Sequence, residues 1–491
     1  MDNAEKLLEL ARGKFGALSG AEEKLFRAVA NGEKADYSAG TDEDNDPAKA
    51  KDWGEERRLK ADRIVWLCSD KQARKLVADK GIWAQGAFIE GKLDLMFEKI
   101  SFPLRFCRDT FREEINMQYA EICALNLASS HTDNINADGL KVKGDVNFRN
   151  GFRMEGEVRL VGATIGGDLD CSNGQFINEG AKALIADGLK VEGDVYLCDD
   201  FKAEGEVSIT GAVIEGHFVW LTDSADAILD MRSAKIGMLW DDVNSWPKKG
   251  RLFLDGLVYD KIGDDAPKDA KSRIEWLHRQ GDERFRPQPY EQLAEVLRKG
   301  GHDEDAREVL IQKNKDKARL TKLTFGEWLW YRVFGPRIGF GYRPLSALKW
   351  IGLFIALGWA VFGSGFSAGV MKSTKEIKYT AEGVGAGYEM PGNSFGLQTL
   401  VYSIDMFVPV IDLYEANRWL PDAKAKGEAK VAMVKLKTVE KDGARKTCIE
   451  KEYIPVAVSG FFVLGYMWFH IIMGWVFTTL FVLGLTKLVR T

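Results

Sequence analysis

The feature that most constrains the fold of this chain is an internal repeat of 49 residues. ADGLKVKGDV begins at Ala137 and ADGLKVEGDV at Ala186, so the offset is 186 − 137 = 49. Within each copy, glycines open short strand-like units at steps of 12 and 11 residues, at Gly144, Gly156, Gly167, Gly193, Gly205 and Gly216. One such unit cannot bury its apolar face alone, but stacked coils can. The pattern therefore predicts a parallel β-helix, or β-solenoid, over residues 81–262.

The polar residues of the repeat have two interpretations. We expect its glycines to be turn residues that need a positive φ, and Asp145, Asp168 and Asp194 to be turn or outward-facing polar residues. The alternative is that these regularly spaced carboxylates form an array of binding residues. The sequence leaves both open.

Helical patterns flank the repeat. Leucine and phenylalanine spacing predicts a helical N-terminal region over 1–80, with Ser19 and Glu22 as a capping box. Apolar residues on either side of Gly300-Gly301 predict a helical hairpin over 263–324.

Composition excludes some classes of protein. A net charge of −5 and a pI near 5.8 argue against a nucleic-acid partner. The six cysteines include no CxxC pair, which predicts reduced, structural thiols.

A membrane domain is predicted over 325–491. Residues 350–371 contain no charged residue and residues 454–486 contain only His470 as an ionisable group, so each predicts a transmembrane helix, the second with Tyr466–Leu485 as its core. Aromatic residues over 325–334 predict a helix at the membrane interface. Residues 429–453, with Lys441-Asp442-Gly443 as the turn, predict a β-hairpin.

The segment between the spans, residues 394–419, is apolar and is broken by Pro409. A helix over about Phe395 to Phe407 followed by a proline turn is the pattern of a re-entrant pore segment, in which Asp405, Asp412 and Glu415 would attract cations. The same residues also fit an interfacial helix with its acids in water, or a third span. Positive charges flank the first span on both sides, so they do not orient it.

The N-terminal residues lack the pattern of a secretory signal, and two spans would return the tail to the side where it began. We therefore expect both termini, and the N-terminal domain, in the cytoplasm. The sequence has no metal spacing among its histidines and no nucleotide, flavin, haem or iron–sulfur motif, so we expect no cofactor, no metal and no catalytic residues.

Several segments together resemble a bacterial family of pentapeptide-repeat-like β-helix membrane proteins: WLCSDKQARKLVADKGIWAQGAFIEGKLDL, the two ADGLKVxGDV copies, GMLWDDVNSWPKKGRLFLDGLVY, PYEQLAEVLRKGGHDEDAREVL and LVYSIDMFVPVIDL. Members of that family often carry the name "membrane-associated oxidoreductase". The resemblance implies a multi-pass protein of the bacterial inner membrane and leaves the function open.

The fold class expected from all of this is multidomain α+β: a parallel β-helix with helical flanks, then a two-helix transmembrane domain with a re-entrant loop. The first functional hypothesis is a homo-oligomeric, channel-like protein with a cytoplasmic sensing or binding domain. The second is a membrane-tethered scaffold that docks a protein partner on the β-helix. A redox enzyme is the third.

Overall fold

A computed structural model describes residues 2–223, 226–337, 339–374, 395–441 and 444–490. The expectations that concern Ser394, Asp442 and Gly443 lie outside these residues. The chain divides into two compact units, Met1–Lys322 and Leu323–Thr491. Each unit is described separately below.

The first unit begins with three helices: α1 (Asn3–Phe15), α2 (Gly20–Asn31) and α3 (Ala61–Ser69). The predicted capping box is present at α2, where Ser19 accepts a hydrogen bond from the Glu22 N–H and the Glu22 carboxylate accepts one from the Ser19 N–H. Short 3-10 helices cover Asp42–Asn45, Pro47–Asp52, Glu55–Arg57 and Ala73–Leu76.

A β-solenoid of about eight turns follows, which confirms this part of the predicted fold. Its strands pair in parallel in four ladders, because each coil places a short strand on each of four sides. The short strands of the first ladder are Ala35–Asp36, Ile82–Gln85, Leu104–Cys107, Leu125–Asn126, Val146–Asn147 and Leu169–Asp170. Those of the second are Arg58–Lys60, Phe88–Glu90, Thr110–Phe111, His131–Thr132 and Arg153–Glu155.

The short strands of the third ladder are Leu93–Asp94, Ile115–Asn116, Ile135–Asn136, Val158–Arg159, Ile228–Asp230 and Leu252–Phe253. Those of the fourth are Glu121–Ile122, Lys141–Val142, Thr164–Ile165, Lys190–Val191 and Val258–Ile262. Four longer strands each take part in two or more ladders: Gln175–Ile185, Val195–Ser208, Val213–Thr222 and Lys235–Asp241. Two strands, Ala35–Asp36 and Arg58–Lys60, come from the region predicted as helical; their short length gives no clear strand pattern in the sequence.

Aromatic rings stack through the solenoid core from one coil to the next. Phe152 lies 5.5 Å from Phe176, Phe176 lies 5.4 Å from Phe201, and Phe201 lies 6.1 Å from Trp220, centroid to centroid. Such offset and edge contacts add to the burial of apolar area. The core is therefore continuous along the solenoid axis.

At four positions the repeat glycines have a structural role different from the predicted one. Gly144, Gly167, Gly193 and Gly216 do not adopt a positive φ. They stack one above another, and a Cβ on Gly167 would lie 2.9 Å from the carbonyl carbon of Gly144. These glycines are thus required for close approach between coils.

The repeat aspartates connect the same coils. Asp145 Oδ1 accepts a hydrogen bond from the Asp168 N–H (3.1 Å), and Asp168 Oδ1 accepts one from the Asp194 N–H (2.8 Å). Asp194 Oδ1 in turn accepts from the His217 N–H (2.7 Å). These three aspartates therefore connect successive coils through backbone N–H groups.

Three helices follow the solenoid: α4 (Ala270–His278), α5 (Gln288–Lys299) and α6 (Asp303–Leu320). Helices α5 and α6 form the hairpin predicted around Gly300-Gly301. A buried ion pair links α4 to the solenoid, since Arg273 donates to both carboxylate oxygens of Asp241 at 2.9 and 2.7 Å.

The second unit contains α7 (Phe325–Trp328), a π-helical stretch (Leu329–Phe334), α8 (Gly335–Arg337) and a 3-10 turn (Gly339–Gly341). It continues with α9 (Pro344–Ser367), the strand Met371–Ser373, α10 (Phe395–Phe407) and the strand Trp419–Pro421. The strands Lys426–Lys441 and Ala444–Ser459 form an antiparallel hairpin before α11 (Gly460–Arg490).

Among the described residues, two helices are long and apolar enough to cross a membrane, over Leu345–Ser367 and Gly460–Leu483. Both differ in their bounds from the predicted spans. The first ends at Ser367 instead of residue 371, because Met371 pairs with Pro421 in a small sheet. The second begins at Gly460 instead of Ile454, because Ile454–Ser459 belongs to the hairpin. Hydropathy alone does not separate an apolar strand such as Ile-Pro-Val-Ala-Val from the helix that follows it.

Candidate functional site

The candidate site is built around α10 and the loop that follows it. Helix α10 has 13 residues, about 20 Å at 1.5 Å per residue, so it is too short to cross a bilayer core of about 30 Å. It ends at Phe407 as predicted, because the residue before a proline disfavours the helical conformation and Val408 precedes Pro409. Residues 408–418 contain no helix and no strand.

Helix α10 packs against both α9 and α11. On the α9 side, Trp359 Nε1 donates to the Gly396 carbonyl (2.8 Å), and the ring of Phe354 lies 5.8 Å from that of Phe407. Helix α10 therefore runs antiparallel to α9. On the α11 side its contacts move forward, from Met467 at Tyr402 to His470 at Phe407, so these two helices run parallel.

These contacts measure how far α10 reaches along the two long helices. Phe407 packs on Phe354, which is 367 − 354 = 13 residues, or about 20 Å, from the Ser367 end of α9. A Cβ on Gly474 would collide with the Phe407 carbonyl, and Gly474 is 474 − 460 = 14 residues, or about 21 Å, from the start of α11. The distances measured along α9 and along α11 therefore agree.

After Phe407 the chain returns towards the Ser367 end of α9. Trp419 packs 5.2 Å from Phe366, and the strand Trp419–Pro421 pairs with Met371–Ser373, just beyond α9. The Tyr402 hydroxyl donates to the Trp419 carbonyl (3.1 Å), which ties the returning chain to α10.

Asp405 fixes the shape of the returning loop. Its side chain is 9% exposed, and its two oxygens accept hydrogen bonds from the backbone N–H groups of Leu413 and Ala416, both at 2.7 Å. Hydrogen bonds to a carboxylate are roughly twice as strong as neutral ones. Asp405 therefore has a structural role that the sequence did not reveal.

The other two predicted acids are placed differently. Glu415 accepts hydrogen bonds from Arg418 (3.0 Å) and Gln398 (3.4 Å), whereas Asp412 is exposed and accepts only the N–H of Tyr414 (2.9 Å), two residues ahead. Pro409 is half-buried at the turn. Within one copy the three acids are thus not equivalent, and Asp412 is the one with an open carboxylate oxygen facing outward.

A polar cluster connects the middle of α10 to both long helices. Ser403 Oγ donates to the Ile355 carbonyl (2.8 Å) and lies 3.3 Å from His470 Nε2, while the Tyr466 hydroxyl lies 3.3 Å from His470 Nδ1. Ser403 and His470 are both fully buried. His470 is the one ionisable residue of the last predicted span, and its partner Ser403 lies 67 residues away, beyond the reach of a local sequence pattern.

Glycines make this packing close. A Cβ on Gly358 would collide with Ser403 Oγ and lie 2.8 Å from His470 Nε2. The signal in the sequence is a small residue in the middle of each apolar span, but many glycines in α9 and α11 share that signal.

Among the residues that the structure describes, no group of three or more histidine, cysteine, aspartate or glutamate side chains could hold a metal ion. The chain matches no family model, no curated protein and no solved structure. The fold and site define a β-solenoid protein with two candidate membrane-spanning helices.

Proposed function

We propose that this chain is a membrane-anchored β-solenoid protein whose membrane unit, as a homo-oligomer, forms a pathway for cations. The observation that carries the proposal is the course of residues 395–421: α10 ends about 20 Å from the Ser367 end of α9, and the chain then returns to that end. With α9 and α11 spanning the bilayer, this segment is re-entrant, and α10 ends near the midplane.

The contacts support a re-entrant segment over the two alternatives. An interfacial helix would lie at one end of the spans, whereas Phe407 packs on Phe354 and His470 near their middle. A third span would leave at the opposite end, whereas Trp419 packs back on Phe366. Irregular backbone at such depth is stable only where it is buried in protein or faces water.

The charges favour cations. Residues 395–417 contain no lysine, arginine or histidine and contain three acids, Asp405, Asp412 and Glu415. The C-terminal end of α10, which carries the partial negative charge of a helix, points towards the middle of the bilayer in this arrangement. Acidic side chains and oriented carbonyl groups are the elements that attract cations in channels.

The remaining parts of the proposal follow from the sequence. We place the protein in the bacterial inner membrane, as a pentapeptide-repeat-like protein with its solenoid in the cytoplasm. There the solenoid would sense or bind a ligand or a protein. Its length and regular surface support such a role, since solenoids present extended binding faces.

The test is cation flux from liposomes that contain the purified full-length protein, with K⁺ and Na⁺ measured separately. We expect flux from the native protein and a reduction by Asp412→Asn of roughly tenfold, equivalent to about 1.4 kcal/mol of lost attraction. Asp264→Asn is the matched control, because the Asp264 side chain is 97% exposed on the first unit. Absence of flux under every ionic condition would exclude the proposal.

A second candidate function, a membrane-tethered scaffold, is favoured by one row of side chains. In the fourth ladder, Lys141, Lys190 and Lys235 occupy the same outward position in every second coil, and Lys99 bridges to the same row. An acidic protein surface would match this row. In that case Lys190→Glu with Lys235→Glu should abolish complementation of a deletion strain, and Asp412→Asn should leave it intact.

A further inference from the structure

A cavity of about 200 Å³ opens on the second ladder of the solenoid. Its floor lies on three consecutive coils, and its opposite wall is the 3-10 helix Pro47–Asp52. The wall is joined to the floor where Thr110 Oγ1 donates to the Pro47 carbonyl (3.0 Å). Because one water molecule needs only about 10 to 15 Å³ of such space, this cavity has room for a small organic molecule.

Three titratable side chains of the cavity floor have no partner of their own. Arg112, His131 and Asp133 make no side-chain hydrogen bond and no ion pair with any residue that the structure describes. Their neighbours Arg153 and Glu155 are joined to each other at 2.8 Å, so those two charges compensate each other. The cavity floor therefore presents one uncompensated guanidinium group and one uncompensated carboxylate.

Arg112 and Asp133 lie side by side on adjacent coils. Each directly follows its strand of the second ladder, in which Thr110 pairs with His131. Neighbouring strands are about 4.8 Å apart, and yet these two described side chains form no ion pair with each other. Burial raises the pKa of the Asp133 carboxyl, and the charge of Arg112 opposes the rise only in part. A cation in the cavity would therefore stabilise the ionised carboxylate.

His131 supplies an uncharged hydrogen-bonding group beside these charges. Burial lowers the pKa of its imidazole, so the ring is neutral at physiological pH. A neutral imidazole has one nitrogen that donates a hydrogen bond and one that accepts. It can therefore bond to either end of a ligand that carries both donor and acceptor groups.

We propose that this cavity binds a small zwitterion, a free amino acid, whose carboxylate pairs with Arg112 and whose ammonium group pairs with Asp133. An anion without a positive group would place its charge beside the Asp133 carboxylate. A cation without a negative group would place its charge beside Arg112 and Lys51, which lines the opposite wall. A ligand with both charges compensates both side chains, and charge-assisted hydrogen bonds at its two ends fix its orientation.

The site gives the solenoid a ligand of the kind that a sensing domain needs. That regulatory role rests on the proposed function, in which ligand binding to the solenoid would act on the cation pathway of the membrane unit. Binding of an amino acid to the cavity does not depend on cation conduction.

Isothermal titration calorimetry of the purified full-length protein, with each of the twenty standard amino acids as the probe, tests the binding. We expect at least one amino acid to bind with a Kd of about 1 mM or lower. Two analogues of that amino acid then test the charges: the amine that lacks the carboxylate and the acid that lacks the ammonium group. Each should bind at least roughly tenfold more weakly, because it leaves one charged side chain of the cavity without its partner.

Substitutions assign the two ends of the ligand. Arg112→Gln and Asp133→Asn should each weaken binding of the amino acid by roughly tenfold or more, whereas Arg112→Gln should not weaken binding of the amine and Asp133→Asn should not weaken binding of the acid. Lys202→Gln and Glu204→Gln are the matched controls. These exposed residues occupy the same two outward positions two coils further along and lie outside the cavity, so both should leave the affinity unchanged.

Each outcome decides the inference. Absence of binding by every amino acid, equal affinity for one of the single-charge analogues, or native affinity in both cavity variants would overturn it. The analogue series uses the native protein, so it remains decisive if a variant does not fold. Amino-acid binding without any change in cation flux from liposomes would confirm the site and exclude its regulatory role. Absence of flux with binding intact would exclude the cation pathway alone, so the two failures are distinguishable.

Discussion

The solenoid and the membrane unit both use aspartate carboxylates to hold backbone N–H groups, but they distribute these contacts differently. In the solenoid, Asp145, Asp168 and Asp194 make one equivalent bond each, from coil to coil. In the membrane unit Asp405 alone makes two bonds to one loop. In the solenoid the stabilisation is distributed over several similar coil-to-coil hydrogen bonds, whereas the loop of the membrane unit depends on the hydrogen bonds of one carboxylate.

The largest loss of stability is expected where α10 packs most tightly on α11. A Cβ at Gly474 would collide with the Phe407 carbonyl, a backbone atom that cannot move without shifting α10. We expect Gly474→Ala to lower the unfolding free energy of the membrane unit by about 3 kcal/mol, at the upper end of overpacking effects. Thermal denaturation of the full-length protein in detergent measures this.

Gly465→Ala is the control for that substitution. Gly465 is on the same helix, α11, and a Cβ there would meet no heavy atom within 4 Å. Because alanine favours a helix over glycine by about 1 kcal/mol, this variant should be as stable as the native protein or slightly more so. Equal destabilisation by both substitutions would contradict the packing described for α10.

The next effect concerns Asp405. Asp405→Ala leaves the N–H groups of Leu413 and Ala416 without their acceptor. Each of these N–H groups that stays buried should lower the free energy of unfolding by about 1 to 3 kcal/mol. We expect faster hydrogen exchange at residues 413–416. Asp412→Ala should change exchange little, because Asp412 is exposed and bonds only to Tyr414. Similar exchange in both variants would mean that Asp405 does not hold the loop.

A smaller effect is expected in the solenoid. Asp168→Ala removes one coil-to-coil hydrogen bond, the one from the Asp194 N–H, and should lower the free energy of unfolding by about 1 kcal/mol. Hydrogen exchange should increase in the two adjoining coils and not elsewhere. Unfolding of the whole solenoid by this one change would show that its coils do not open independently of one another.

The last effect expected is a pH dependence at Asp109. Burial raises the pKa of this carboxyl well above its usual value, and bonds from Ala87 and the charge of Arg57 oppose the rise only in part. Since the folded state holds the proton more tightly, its contribution to stability is complete below the ordinary carboxyl pKa and is lost as the pH rises through the raised pKa.

Asp109→Asn should therefore remove part of the loss of stability at rising pH, by at most about 1.4 kcal/mol per pH unit. Melting temperatures of the full-length native and Asp109→Asn proteins between pH 5 and 8 provide the measurement. Asp264→Asn serves again as the exposed control. Parallel pH curves for native protein and Asp109→Asn would contradict the raised pKa.

The sequence predicted the solenoid because the repeat period can be read directly from the spacing of its residues. Steps of 12 and 11 residues place the units alternately in the first and third ladders, as Val146–Asn147, Val158–Arg159 and Leu169–Asp170 show. The role of the glycines was predicted incorrectly at Gly144, Gly167, Gly193 and Gly216. Close approach between coils is a contact between residues 23 to 26 positions apart, which a local turn rule does not contain.

In the membrane unit the sequence determined the two apolar helices and the end of α10 before Pro409, since length, hydropathy and proline chemistry act locally. It treated Asp405, Asp412 and Glu415 as one group. Only the tertiary structure separated them, because a carboxylate's role depends on which backbone groups the fold brings within hydrogen-bond distance, and Asp405 finds its partners 8 and 11 residues away.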